Sequence, residues 1–279
     1  MLVLFLKRLL RFVALFVLVA LLSLLVFQKK FIYFPQNSTP EVIASFLNLG
    51  GQRLDYETSQ GHQTAWLKPA ASGEIPEHFW IVCAGNASQA LSLQWLQKES
   101  HLTKDAFLLV DYPGYGVSQG QPTPTTIREN LEKVVPLAAK ATGFPLSEIQ
   151  ERGISFGHSL GSAATLLGAE VFGIRRAILL APFTSTMEMT SVVVNLPLGW
   201  LVTHRFDNRA RLAELKKRGG HVWVFHGEND LIIPASMGKT LARELGKSAT
   251  YHEIPGGGHN DLFDKGGDNI FQAMREARD

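Results

Sequence analysis

The stretch that most constrains this chain is Gly157-His158-Ser159-Leu160-Gly161, set between a short apolar run, Gly153-Ile154-Ser155-Phe156, and a small-residue helix, Ser162-Ala163-Ala164-Thr165-Leu166-Leu167-Gly168. A serine with glycines at both second neighbours, at a strand-to-helix turn, suits a tight and strained turn, because only glycine lets neighbouring backbone pass so closely. Ser159 is the candidate nucleophile. A second match, Gly116-Val117-Ser118-Gln119-Gly120, lies several residues past the apolar run Phe107-Leu108-Leu109-Val110. It runs into Gln121-Pro122-Thr123-Pro124, whose prolines oppose an immediate helix start. Ser118 therefore reads as a loop serine.

Around this turn, continuous apolar runs alternate with helical patterns. Strands are expected at His78–Cys83, Ala106–Val110, Ile154–Phe156, Ala177–Leu180, Val222–Phe225 and Thr250–Ile254, with helices around Leu91 to Gln97 and from about Thr125 to Ala141. Strands buried on both faces and separated by helices indicate an α/β fold with a mostly parallel central sheet flanked by helices. Arg53–Glu57 and Thr64–Leu67 read as an antiparallel entry to it. The excursion from about 184 to 220, with Val192-Val193-Val194 and Leu196-Pro197-Leu198-Gly199-Trp200, reads either as a small cap or as ordinary crossover packing. A cap so apolar favours a greasy substrate.

The first thirty residues form a separate segment, and 31–279 the globular domain. Phe12 to Phe27 is apolar apart from Ser23, and Leu9, Leu10 and a snorkelling Arg11 extend the run to a transmembrane helix over about 9–27. A cleaved signal peptide is the rival, but Val26-Phe27-Gln28-Lys29-Lys30-Phe31 supplies no small-x-small cleavage site. Lys7, Arg8 and Arg11 precede the run and Lys29 and Lys30 follow it, an asymmetry that places the N-terminus in the cytoplasm and the domain across the membrane. Without those five, 22 basic residues face 25 acidic ones for a net charge of −3, which excludes a polyanion or nucleic-acid binder. The lone Cys83 excludes an intrachain disulfide and reads as a buried small residue at a strand end.

A serine hydroxyl needs a histidine to take its proton and an acid to orient that histidine. Asp230, in the turn after the Val222–Phe225 strand, is the candidate acid, with Glu228 as a nearby substitute. His259, in the turn Pro255-Gly256-Gly257-Gly258-His259 after the last strand, is the candidate base. His226 and His252 read as structural, His158 as packing beside the nucleophile, and Asp261 as too close in sequence to serve His259. A developing oxyanion needs backbone donors: Leu160 at the helix start and Asn86 in the loop Ala84-Gly85-Asn86-Ala87, with Ala87 as the fallback. No cluster has metal-ligand spacing, so neither metal nor cofactor is expected.

From about Phe31 onward the chain resembles the α/β-hydrolase superfamily, and within it the membrane-anchored BEM46-like (ABHD13-like) branch. The resemblance rests on Asp111-Tyr112-Pro113-Gly114-Tyr115-Gly116-Val117-Ser118-Gln119-Gly120, the Gly157–Gly161 turn, Ala181-Pro182-Phe183-Thr184-Ser185, Phe206-Asp207-Asn208, His226-Gly227-Glu228-Asn229-Asp230 and Gly258-His259. It implies an α/β-hydrolase fold carrying the triad in the order Ser, Asp, His. Ala84 stands where the family usually has histidine, and Pro113 where arginine is common. The expected activity is serine hydrolysis of a carboxylic ester or thioester, of a small molecule or a lipid. A peptidase or amidase, or a catalytically silent membrane-tethered scaffold, are the alternatives.

Overall fold

The computed structural model describes residues 2–279, and the side chains of all of them except 2, 3, 17, 18, 20, 21, 24 and 194. Helices α1 (Leu2–Ile32) and α2 (Pro40–Asn48) precede the antiparallel hairpin β1 (Gln52–Thr58) and β2 (Gly61–Lys68). Then come β3 (Phe79–Cys83), the short α3 (Leu96–Glu99), β4 (Ala106–Val110), α4 (Pro124–Thr142), the short α5 (Ile149–Arg152), β5 (Gly153–His158) and α6 (Leu160–Phe172). The chain closes with β6 (Arg176–Leu180), α7 (Thr186–Val194), α8 (Asn208–Lys217), β7 (His221–Gly227), α9 (Ala235–Leu245), β8 (Ala249–Ile254) and α10 (Leu262–Glu276).

Among the described residues the strands form one sheet in the order β1-β2-β4-β3-β5-β6-β7-β8. It is antiparallel at the β1–β2 and β2–β4 pairs and parallel from β4 to β8. The continuous apolar runs have a direct cause in β3: Phe79, Ile81 and Cys83 join the core under α4, α6, α8 and α9, while Trp80 and Val82 join the core under α2 and α10. Both faces of the strand are buried, so neither set of alternating positions can be polar. Reversal of strand order between β4-β3 and β5-β6 opens a crevice at the carboxyl ends of β3 and β5, where ligands bind in open α/β sheets.

Local chemistry explains several boundaries. Helix α4 starts where Thr123 accepts a hydrogen bond from Thr126 N–H, with Pro124 inside the first turn, and it ends at Gly143, whose φ is 69°. The prolines after Ser118 thus delay the helix as expected. The single helix expected around Leu91 to Gln97 is instead a 3₁₀ turn at Ala90–Leu93 followed by α3. The Trp95 indole N–H takes the Ser92 carbonyl at 2.8 Å, which interrupts the ladder there. The 184–220 excursion divides in two. Ser185 and Asp207 pair as an isolated bridge that closes off a cap made of α7 and the turn Gly199–Leu201. Helix α8 beyond it packs on α6 as an ordinary crossover.

The transmembrane helix expected over about 9–27 is not supported: among the described residues no helix is long and apolar enough to cross a membrane. Residues 17, 18, 20, 21 and 24 of that expectation lie outside the described side chains. The backbone is one 31-residue helix, α1, with Lys29 and Lys30 in its last turn.

Trp80 is fully buried, stacks on Phe107 at 5.2 Å between ring centres and donates its indole N–H to Asp105 at 2.9 Å. Trp80→Ala is expected to cost about 3–5 kcal/mol, through a cavity and a deprived buried carboxylate, as read by urea unfolding.

Candidate active site

Ser159 sits between β5 and α6 with φ 56° and ψ −121°, a conformation rare for a residue with a side chain. The surrounding packing holds it there. Its N–H donates to the Leu180 carbonyl at 2.8 Å, and the Ser162 hydroxyl donates to the Gly157 carbonyl at 2.9 Å. Gly161 is required by close approach: a Cβ there would lie 2.0 Å from the Cys83 carbonyl oxygen. Helix α6 is thereby pressed onto the end of β3, the strand that leads into Ala84-Gly85-Asn86.

Asp230 lies in the turn after β7, and its carboxylate is saturated with donors. One oxygen accepts from the Ile232 and Ile233 N–H groups, each at 2.8 Å. The other accepts from His259 Nδ1 at 2.7 Å and has His226 Nε2 at 3.3 Å. Burial would raise the Asp230 carboxyl, but the hydrogen bonds from His226, His259 and Ile233 outweigh it and hold the group well below the usual carboxylate range. His259 is placed by the turn before it: Asn229 N–H donates to the Gly257 carbonyl at 2.7 Å, and a Cβ on Gly227 would lie 2.4 Å from the Gly258 carbonyl oxygen. The sequence reading treats His226 as structural and misses this second contact to Asp230. Its Nε2 donates to the Ile233 carbonyl at 2.9 Å, so one ring ties both ends of the Asp230 turn together.

Ser159, Asp230 and His259 are all buried and come to one end of the sheet. Asp230 and His259 are joined; among the described residues no hydrogen bond joins the Ser159 hydroxyl to the His259 ring. Glu228 is engaged elsewhere, accepting from Gly256 N–H at 2.9 Å. Asp261 accepts from Gly258 N–H at 2.6 Å and pairs with Lys265, away from the His259 ring. Ser118 is bound to β2 through Thr64 N–H at 3.0 Å, and His252 stacks on Phe225. His158 lies beside His259, with ring centres 4.9 Å apart, and donates from Nε2 to the His259 carbonyl at 2.8 Å.

Asn86 and Leu160 both line the cavity that contains Ser159, about 640 Å³ in volume. Among the described residues neither N–H has an acceptor, which leaves both free for a developing oxyanion. The Ala84-Gly85-Asn86 loop is held by tyrosines. Tyr112 Oη donates to the Ala84 carbonyl at 2.6 Å and Tyr115 Oη to the Asn86 carbonyl at 2.7 Å. Both come from the segment with Pro113. Such a site, with a strained serine, an oriented imidazole, spare N–H donors and an apolar cavity, is suited to acyl transfer.

No family model matches the sequence. An uncharacterized protein of Mycobacterium tuberculosis is 31% identical over 238 residues, covering 84% of this chain and 81% of its own length. A putative α/β hydrolase of Acanthamoeba polyphaga mimivirus is 28% identical over 209 residues, 74% of each chain. Human α/β-hydrolase domain-containing protein 17B is 27% identical over 152 residues, 54% of this chain and 49% of its own. Among solved structures, the Pyrococcus furiosus esterase Pf2001 superposes with a TM-score of 0.62 at 14% identity, covering 89% of this chain and 98% of that one. A Thermogutta terrifontis esterase does so at 0.56, with 14% identity and coverage of 81% and 97%. At such identities the likeness is one of fold. These relatives support the superfamily, and their names do not confirm its BEM46-like branch.

Burial, and then the neighbouring His259, push the His158 imidazole from its ordinary 6.5 down to about 4. The unfolded chain therefore takes up this proton first as the pH falls. The site costs nothing above about pH 6.5 and destabilises the fold progressively between there and about pH 4. Thermal midpoints of the parent and His158→Gln, measured across that window, are expected to shift against the parent as the pH drops.

Proposed function

The chain belongs to the α/β-hydrolase superfamily, and on that basis we propose that it is a serine hydrolase cleaving carboxylic ester or thioester bonds, those of lipids included. The observation that carries this reading is the His259–Asp230 pair, 2.7 Å apart, at the same sheet end as a serine held at φ 56° on a helix start. In the proposed reaction Ser159 Oγ attacks the substrate carbonyl carbon while His259 Nε2 takes its proton. Asp230 keeps the other ring proton on Nδ1 and stabilises the imidazolium. The tetrahedral oxyanion is received by the N–H groups of Asn86 and Leu160, the latter at the positive end of α6. Collapse returns the proton from His259 to the leaving group and leaves an acyl-serine, which water hydrolyses with His259 again as base.

We also propose that α1 holds the enzyme at a membrane, its N-terminus cytoplasmic and the catalytic domain on the opposite side. This reading rests on the sequence of α1, the Phe12–Phe27 run and the three basic residues before it against two after. The exposure of its described apolar side chains, Leu10 at 73% and Phe16 at 67%, supports it.

A fluorophosphonate probe on the folded chain is expected to label the parent and Ser118→Ala but not Ser159→Ala. Asp230→Asn is expected to lower kcat on a short acyl ester by about 10⁴-fold by misplacing the imidazole proton. Ester turnover retained by pure Ser159→Ala, or aminoacyl amides cleaved faster than esters, would overturn the assignment. For α1, alkaline carbonate washing is expected to leave the full chain in the membrane pellet, and release into the supernatant would remove the attachment reading.

A further inference from the structure

On the serine-hydrolase reading, we infer that the last turn of α1 and the residues just after it belong to the substrate site, where they close a slot for a long acyl chain. The cavity that contains Ser159 is lined by Met189 and Val193 of the cap helix α7 and by Phe31, Ile32 and Phe34 at the end of α1. Phe183, Leu201, Val202 and the Leu231–Ile233 turn beyond Asp230 also line it. Among the described residues no charged side chain lines it, and its volume of about 640 Å³ falls in the range that encloses small ligands. A hydrocarbon chain leaves no hydrogen bond unmet there, whereas a sugar or a charged group would.

The end of α1 is built into this site. Gln28 is buried, and its Oε1 accepts from Thr203 N–H of the cap at 2.7 Å, across 175 residues of sequence. The buried Tyr33 reaches His204 Nδ1 with its hydroxyl at 3.2 Å. On the other side Asn86 Nδ2 donates to the Ile32 carbonyl at 2.9 Å, and Phe34 N–H donates to the Asn86 carbonyl at 3.1 Å. One short segment therefore bonds both the cap and the candidate oxyanion loop. Loosening it opens the slot without touching Ser159, Asp230 or His259.

The test uses the full chain in detergent and p-nitrophenyl butyrate, octanoate, dodecanoate and hexadecanoate as probes. In the parent, kcat/KM is expected to rise from butyrate to dodecanoate, by at most about fourfold per buried methylene. Gln28→Ala and Phe31→Asp are expected to lower the dodecanoate-to-butyrate ratio by about tenfold while fluorophosphonate still labels Ser159. Phe31 is 67% exposed, so its replacement leaves the fold intact even where loss of the Gln28 bond does not. A flat parent profile, or a ratio unchanged in both variants, overturns the inference and leaves the serine-hydrolase reading standing. Butyrate esters of lengthening alkyl alcohols are expected to show no matching rise; a matching rise gives the slot to the leaving group and overturns the acyl assignment. An unlabelled parent removes the serine-hydrolase reading and this inference with it.

Discussion

The contact on which the site depends is the approach of helix α6 to the end of β3, where Gly161 lies so close to the Cys83 carbonyl that no side chain fits between them. Two consequences follow from one piece of packing. The chain must turn abruptly at Ser159, which forces its positive φ and lifts its hydroxyl above the sheet. The loop continuing from Cys83 is brought alongside the same turn, so that Asn86 and Leu160 line one cavity. Such strain persists only where the surroundings over-determine it, and the bonds to Leu180 and Gly157 supply that support.

Electrostatics act on the other half of the site. Asp230 receives two backbone N–H groups on one oxygen and faces two imidazoles on the other, so its carboxylate stays charged despite burial. A fixed negative charge beside His259 favours the imidazolium that acyl transfer would create there. His158 does the opposite work: its ring is neutral, and its N–H is committed to the His259 backbone rather than to chemistry. Two histidines with rings 4.9 Å apart are thereby assigned different tasks by their hydrogen-bond partners.

The loop at Ala84 is held by bonds from two other segments. Hydroxyls of Tyr112 and Tyr115 bond the Ala84 and Asn86 carbonyls, and the end of α1 bonds Asn86 as well, through the Ile32 carbonyl and the Phe34 N–H. The N-terminal segment is therefore not an appendage to a finished domain, because its last turn fills space between the cap and the candidate oxyanion loop.

Local rules carried much of this in the sequence itself. Glycines flanking Ser159 and prolines after Ser118 separate the two serine motifs, because strand-turn-helix geometry is decided within a dozen residues. Apolar runs such as Phe79–Cys83 declare a strand buried on both faces, since burial by helices above and below leaves no polar position. Contacts between distant segments were not readable in that way. Nothing near Gln28 in sequence announces a bond to Thr203, and nothing near Asn86 announces one from Tyr115. The cap edge at Ser185 and Asp207 and the role of the tyrosines are of the same kind, whereas the Trp95 bond to Ser92 and the His226 contact to Asp230 are local ones that depend on side-chain orientation. Sequence pattern by itself determined the elements, their order and the candidate triad, because propensity and periodicity are short-range. Only the tertiary structure decided what holds each group in place, because hydrogen bonds and close packing join residues that the chain keeps far apart.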